Sequence, residues 1–200
     1  ADGVTSTTLM YSYLKSRGAD VMYYIPDRVS EGYGMNCAAI EKLANQGVKL
    51  IVTVDNGISA IEEIEYAKTL SIDCVVTDHH KVGDTLPNAV AVVDPHREDC
   101  NLHFKDWAGV GVAFKVVCAL EKGDYSEILN DYADIIAIGT VADVVDLKDE
   151  NRAIVKYGVA KINTHPCNGV NALRQIAGVS EKPLNAVGVT YSLAPRINAA

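Results

Sequence analysis

The first half of the chain alternates short apolar runs with stretches of helical periodicity. The apolar runs have the length and the bounding turn residues of buried strands, and they lie at 19–25, 49–54, 73–77 and 89–93. The helical stretches lie at 5–17, 35–46 and 60–70. Gly47 follows the second of these helices as its C′ residue, and Ser59 is the predicted N-cap of the third. Strands that alternate with helices predict an α/β fold, a parallel β-sheet flanked by helices.

The second half of the chain shows helical periodicity alone. Its apolar residues recur at helical spacing over 109–122, 125–145, 150–164 and 169–177. No repeat, low-complexity segment or flexible linker separates the two halves. We therefore predict an α/β part over about residues 1–105 and a helical part over about residues 106–200.

Composition and charge limit the class of protein. Hydrophobic residues make up 48% and charged residues 22% of the chain, as in soluble globular proteins, and no apolar run approaches the roughly 20 residues that span a bilayer. The five cysteines are odd in number and irregularly spaced, which predicts reduced thiols and a cytoplasmic location. The net charge of −8 argues against nucleic-acid binding, unless metal ions offset the acids or a basic surface lies elsewhere in a longer protein.

Acidic side chains and histidines follow the predicted strands. Three strands run directly into Asp55-Asn56-Gly57, Asp78-His79-His80 and Asp94-Pro95-His96. Asp2 lies just before a predicted helix, and Asp143 lies inside an otherwise apolar helical run. Because ligands of such sheets bind beyond the carboxyl ends of the strands, we expect these side chains to meet at one edge.

Each of these residues alone has a simpler interpretation. Asp55 fits a turn, a lone histidine is more often a satisfied core or surface residue than a ligand, and Asp143 could pair with an arginine or cap a helix. Together, carboxylate and imidazole groups suit Mn²⁺, Fe²⁺ or Zn²⁺ better than Ca²⁺. Two divalent ions about 4 Å apart would relieve the repulsion among the acids, and such pairs serve in phosphoester hydrolysis.

Four motifs resemble those of the DHH phosphoesterase family, in the family's order. They are Asp2-Gly3, Asp55-Asn56-Gly57, Asp78-His79-His80 and Gly139-Thr140-Val141-Ala142-Asp143. Further stretches are similar to the RecJ-type single-strand-specific exonucleases within this family, and they lie at 26–28, 31–34, 108–115 and 195–200. The resemblance covers essentially the whole chain and implies the catalytic core of a metal-dependent 5′→3′ exonuclease.

The resemblance also implies the metal ligands. Asp55 would bridge two Mn²⁺ or Mg²⁺ ions, and Asp2, His79 and Asp143 would complete their coordination shells. The family's first motif carries another metal-binding Asp two residues before the position of Asp2, and the chain begins one residue too late to include it. We therefore expect this polypeptide to bind one of the two ions weakly and to cleave poorly.

The resemblance implies the remaining site residues as well. Asp78 would orient an imidazole from behind, and His80 would donate to an oxygen of the scissile phosphate as charge develops there. Arg28 and Arg196 would grip a terminal 5′ phosphate, because a guanidinium group suits bidentate contact with phosphate. A surface salt bridge is an equally good interpretation of either arginine.

Three other features have two interpretations each. Gly109-Val110-Gly111 is either a phosphate-cradling turn at a helix start or a point of close helix packing. Trp107 either stacks on a base or seals the junction between sheet and helices, and we favour the seal. His96-Arg97 either touches a substrate phosphate or forms a solvated loop, and we favour the loop.

The expected partner is single-stranded DNA, with a single-strand-binding protein or a helicase as further partners, and no membrane. RecJ-like proteins continue into a smaller second domain and a nucleic-acid-binding barrel, so we expect this chain to be a fragment that lacks both. Two other functions stay open. One is another DHH phosphoesterase that acts on short oligoribonucleotides, cyclic dinucleotides or pyrophosphate, and the other is a non-catalytic binding subunit with the DHH fold.

Overall fold

A computed structural model describes residues 1–27 and 31–199 of the chain. The helices of this part are α1 (Asp2–Ser16), α2 (Cys37–Asn45), α3 (Ile61–Thr69), α4 (Gly109–Leu120), α5 (Ser126–Ala142), α6 (Asp149–Thr164), α7 (Asn168–Ile176), α8 (Ala186–Ser192) and α9 (Ala194–Asn198). The strands are β1 (Leu50–Val54), β2 (Asp73–Thr77) and β3 (Ala91–Val93). The predicted fold class, a parallel sheet with flanking helices followed by a helical section, is confirmed.

The three strands form one parallel sheet in the order β1-β2-β3. The register pairs Val54 with Thr77 and Thr77 with Val93, so that all three strands end side by side. Helices α2 and α3 pack against this sheet through a buried cluster that includes Ile40 and Ile64. Because the strands end in register, the residues that follow them share one edge of the sheet.

Helix α5 lies between two apolar cores. Its residue Ile136 packs with α1 and α4 in a cluster that contains Leu9 and Phe114. Its residue Ile138 packs with α6 and α8 in a second cluster that contains Ile162. None of the helices in the described part of the chain has the length and apolar character needed to cross a membrane.

Some predictions about local structure are wrong. Residues 19–25 form no strand, because no described strand pairs with them, and Met22 and Ile25 stay exposed. Ser59 does not cap α3, which begins after Ala60 without a side-chain cap. Asp143 is not inside a helix but is the residue that ends α5. The sequence pattern does not predict α8 and α9, since segments this short carry too little periodicity to recognise.

Other boundaries differ from the predictions by only a few residues. Helix α1 begins at Asp2, three residues before the predicted start. Strand β2 has the predicted bounds, and β3 is two residues shorter than predicted. Gly47 follows α2 with φ +82°, the left-handed conformation expected of a C′ glycine.

Candidate metal centre

The chain turns sharply at the end of β1 and thereby places the carboxylate of Asp55. Asp55 has φ +60°, a left-handed conformation that aspartate tolerates better than most residues. Gly57 has φ +111° and lies so close to Thr53 that a Cβ atom would fall 2.6 Å from the threonine Oγ1. The hydroxyl of Tyr33 donates to the carbonyl oxygen of Asp55. These contacts hold Asp55 in a buried position at the carboxyl edge of the sheet.

His79 lies among three carboxylates. Its Nε2 atom is 3.0 Å from Oδ1 of Asp55 and 3.9 Å from Oδ2 of Asp2. Its Nδ1 atom is 3.8 Å from Oδ2 of Asp143. The structure thus brings together the four residues that the family resemblance assigns to metal, although they come from the ends of two strands, the start of α1 and the end of α5.

The carboxylate of Asp2 is bound by the start of α4. It accepts hydrogen bonds from the backbone N–H groups of Gly109 at 2.6 Å and Val110 at 2.9 Å. The first N–H groups of a helix lack partners within the helix and favour a negative charge. A Cβ atom at position 109 would lie 2.5 Å from Cβ of Asp55. This glycine-containing turn is therefore a point of close packing, and the anion that it binds is a carboxylate of the chain itself.

Trp107 seals the junction between the sheet and the helical section. It is almost completely buried and makes an edge-to-face contact with Phe104 at a ring-centroid distance of 5.3 Å. A Cβ atom at Gly111 would lie 2.6 Å from the Trp107 ring. The favoured interpretation of this tryptophan is confirmed.

Asp78 holds the turn that carries the two histidines. Its buried carboxylate accepts from the N–H groups of Ile58 at 2.9 Å and His79 at 2.8 Å. It also accepts from the backbone N–H of His80 at 3.2 Å and lies 2.6 Å from Nδ1 of the same residue. An ionised carboxylate can only accept, so Nδ1 carries the hydrogen and Nε2 points away from Asp78. The His80 side chain is 48% exposed and therefore accessible to a ligand.

Burial and mutual repulsion shift the protonation of this cluster. Burial, ahead of the charge of Asp55, raises the pKa of Asp2 to about 7. Burial also raises the pKa of Asp143. Burial alone would lower the pKa of His79, but its hydrogen bond to Asp55 and the surrounding carboxylates outweigh burial and raise the pKa to about 9. Without an ion, the cluster therefore gathers protons, as expected of carboxylates held together in a cation site.

Among the described residues, two sets of three side chains could each hold a metal ion. The first set is Asp55, His79 and His80, and the second is Asp2, His79 and Asp143. Within each set the ligand atoms all lie within 4.8 Å of one another. The mixed carboxylate and imidazole donors suit Mn²⁺, and His80 belongs to the first set although 48% of its side chain is exposed.

Of the two arginines assigned to substrate, Arg196 has no described contact with this cluster. Arg28 lies outside the described residues. Arg196 lies on α9, where Nη1 donates to the carbonyl oxygen of Ser192 at 2.6 Å. Helix α9 nevertheless approaches the cluster, because Asn198 contacts Ala1, the neighbour of Asp2.

Sequence reasoning missed Tyr33 as an individual site residue. Besides its hydrogen bond to Asp55, its ring contacts that of His80 edge-on at a centroid distance of 6.3 Å. The tyrosine lies in the stretch 31–34 that resembles RecJ-type exonucleases, and that stretch was its only signal in the sequence.

Comparison with known proteins shows similarity to RecJ over the full length of the chain. The chain is 43% identical over 199 residues to the single-stranded-DNA-specific exonuclease RecJ of Bacillus subtilis (strain 168). It is 40% identical over 213 residues to RecJ of Escherichia coli (strain K12). All of this chain is covered in both cases, but it spans only 25% and 37% of those two relatives.

Two solved structures and a family model agree with these relatives. A crystal structure of exonuclease RecJ bound to manganese matches with a TM-score of 0.87 and 38% identity, and the match covers 100% of this chain and 50% of that one. RecJ from Thermus thermophilus in complex with Mn²⁺ matches with a TM-score of 0.78 and 34% identity, covering 100% of this chain and 28% of that one. The N-terminal domain model of the DHH family matches residues 1–140. The chain therefore belongs to the DHH family.

Proposed function

We propose that residues 1–200 form the catalytic core of a metal-dependent 5′→3′ exonuclease that hydrolyses the phosphodiester bonds of single-stranded DNA. The core has an α/β part to about residue 105 and a helical part from about residue 106. The proposal rests on one observation. The carboxylates of Asp2, Asp55 and Asp143 all lie within 4 Å of the His79 ring at one edge of the sheet. The similarity to exonucleases specific for single-stranded DNA supports the choice of substrate.

Two Mn²⁺ or Mg²⁺ ions would be held by Asp2, Asp55, His79 and Asp143. The residues fit such ions because buried carboxylates and an imidazole converge there, and because burial and repulsion raise the pKa of Asp2 to about 7 in their absence. When bound, the ions would lower the pKa of a water molecule and offset the negative charge of the phosphate.

His80 would contact an oxygen of the scissile phosphate. The hydrogen bond of 2.6 Å between its Nδ1 and Asp78 fixes the ring and leaves the other ring nitrogen directed outward. Asp78 is a positioning residue in this proposal, because it is buried behind His80. Since the ring is already oriented, little reorganisation is needed as charge develops on the phosphate.

Arg28 and Arg196 would bind the terminal 5′ phosphate of the strand.

A single-strand-binding protein or a helicase would be the protein partner, because an enzyme specific for single strands depends on a process that exposes them. The five cysteines are free thiols, which supports a location in the reducing cytoplasm.

Digestion of end-labelled DNA in the presence of Mn²⁺ tests the proposal. The wild type, His79→Ala and His103→Ala, each made in the full-length protein, are compared on single-stranded and double-stranded substrates. His103 is a matched control, since its side chain is 95% exposed in the loop before α4. We expect release of mononucleotides from the 5′ end of single strands only, about 100-fold slower or worse in His79→Ala and unchanged in His103→Ala.

Other outcomes would assign the chain differently. Hydrolysis of short oligoribonucleotides, cyclic dinucleotides or pyrophosphate without DNA digestion would indicate another activity of the DHH phosphoesterases. Binding without any hydrolysis would indicate a non-catalytic subunit. Release from the 3′ end would support the same chemistry with the opposite polarity.

A further inference from the structure

The turn after β3 repeats the geometry of the turn after β2. After β2, Asp78 accepts from the backbone N–H of His80 at 3.2 Å and lies 2.6 Å from its Nδ1. After β3, Asp94 accepts from the backbone N–H of His96 at 2.7 Å and lies 3.5 Å from its Nδ1. In both turns a buried carboxylate lies behind an imidazole two residues later in the chain.

The two turns are neighbours at the same edge of the sheet. Thr77 pairs with Val93, and the N–H of Asp78 donates to the carbonyl oxygen of Val93 at 3.0 Å. Adjacent strands lie about 5 Å apart, so the two Asp-x-His turns are separated by about one strand spacing. Both imidazoles are accessible, with 48% of the His80 side chain and 37% of the His96 side chain exposed.

Arg97 holds the second turn in place. Its Nε and Nη2 atoms donate to the two carboxylate oxygens of Asp99 at 2.9 and 2.6 Å, and its Nη1 donates to the carbonyl oxygen of Val92. The guanidinium group is thus engaged within the loop. Of the two basic side chains in this turn, Arg97 is occupied by these contacts, and His96 is the one left to contact a ligand.

Asp94 is an acid whose burial calls for a reason. Its side chain is 0% exposed, and its Oδ2 atom has no hydrogen-bond partner in the described part of the chain. The pKa of Asp94 is raised, because burial and the charge of Asp78 outweigh the hydrogen bond from His96 and the charge of His79, which lower it. Burying such a group is costly, which favours a role for it at this edge rather than a solvated loop of no function.

We propose that His96, positioned by Asp94, contacts a phosphate group next to the scissile one in a single-stranded nucleic acid. The inference rests on the proposed function and extends it. His80 faces the bond that is cut, and His96 binds the neighbouring phosphate, so the strand crosses the sheet edge from β2 towards β3. Because His96 touches a non-reacting phosphate, it stabilises the bound substrate and the transition state equally.

Steady-state kinetics of His96→Ala and the control His103→Ala test this inference. The substrates are a single-stranded oligonucleotide and a dinucleotide that contains one phosphodiester linkage. For His96→Ala we expect a KM about tenfold higher on the oligonucleotide, with kcat changed less than about twofold and no change on the dinucleotide. Asp94→Asn keeps the size of the side chain but not its charge, and should give a smaller rise in KM. His103→Ala should match the wild type on both substrates.

Two kinetic results would overturn the inference: equal KM values for His96→Ala and His103→Ala, or a loss of kcat on the dinucleotide in His96→Ala. Fluorescence anisotropy with a labelled single-stranded oligonucleotide, measured without divalent ions, separates this inference from the proposed function. Weaker binding by His96→Ala than by His103→Ala supports the inference about His96 even if the wild type hydrolyses nothing. Equal binding by the two variants refutes it even if the wild type is an active exonuclease.

Discussion

The carboxylate of Asp55 is confined by two glycines as well as by its own turn. A Cβ atom at Gly109 would lie 2.6 Å from Oδ1 of Asp55, and one at Gly3 would lie 3.2 Å from Oδ2. These glycines let the starts of α1 and α4 approach the end of β1 closely. At the scale of the residue, the geometry of the site therefore depends on the absence of side chains beside Asp55 as much as on the acids themselves.

Gly109→Ala should damage both stability and metal binding. The new methyl group overlaps Asp55, so we expect the free energy of unfolding to fall by about 1–3 kcal/mol and Mn²⁺ affinity to fall with it. Thermal unfolding and Mn²⁺ titration measure the two effects. Gly169→Ala on α7 is the control, because a Cβ atom there meets no atom of the described residues within 4 Å. Equal behaviour of the two variants would refute the packing argument.

Mn²⁺ affinity should rise with pH. Without metal, the pKa is about 7 for Asp2 and about 9 for His79, so below pH 7 both groups hold protons that must leave before an ion binds. We expect affinity to rise by up to about 100-fold per pH unit below pH 7, and by up to about tenfold per unit between pH 7 and pH 9. Calorimetry in buffers of different ionisation enthalpy measures the released protons. Asp2→Asn should flatten the dependence below pH 7, and an affinity independent of pH in the wild type would contradict the prediction.

At the scale of the element, the end of α5 places Asp143 at the candidate metal centre. Asp143 is the residue after the last turn of the helix, and Val144 follows it with φ +61°. A β-branched residue is disfavoured in this left-handed conformation. The Val144 side chain is 83% exposed, so burial offsets little of the strain. The backbone at Val144 is thus strained where the chain bends away from the candidate site.

Val144→Gly should stabilise the protein. Relief of the left-handed backbone is worth about 1–2 kcal/mol, and the entropy of glycine in the unfolded chain costs about 0.5–1 kcal/mol, which leaves a gain of about 0.5–1 kcal/mol. Chemical denaturation measures the change. Val187→Gly is the control, since Val187 is also exposed but lies within α8, and its replacement should lower stability. A loss of stability in Val144→Gly would refute the strain argument.

At the scale of the whole molecule, folding gathers acids where the sheet meets the helical section. Among the described ion pairs, the carboxylates of Asp2, Asp55 and Asp143 pair with histidine and with no lysine or arginine. Their repulsion opposes folding unless cations are bound. Stability of this protein should therefore be linked to metal concentration.

Mn²⁺ at about 100 times its dissociation constant should stabilise the fold by about 2.7 kcal/mol, and thus raise Tm by about 5–10 °C. Asp55→Asn keeps an acceptor towards His79 but removes a charge. We expect this variant to lose the Mn²⁺-dependent shift and to melt above the wild type in metal-free buffer. Asp84→Asn, at an exposed loop position, is the control and should keep the shift. An unchanged shift in Asp55→Asn would exclude Asp55 as a ligand.

Much of the fold and of the candidate site could be predicted, because a segment that becomes buried has a recognisable pattern of apolar residues. Strand β2 has the bounds that its apolar run predicts, since its residues Cys74 and Val76 are buried and Asp78 follows its last residue. The pattern also predicts that the acids after β1 and β2 lie close together, because parallel strands end at a common edge. The motif order then indicated which of these acids belong together.

The sequence by itself determined the order of the elements from α2 to α7 and the presence of acids and histidines at the strand ends. The tertiary structure decided that residues 19–25 form no described strand, that the start of α4 binds Asp2, and that Asp94 and His96 lie beside the DHH triplet. The reason is physical. Apolar periodicity reports which face of a segment is buried, whereas strand pairing and contacts between distant backbone groups depend on segments that meet only in the folded chain.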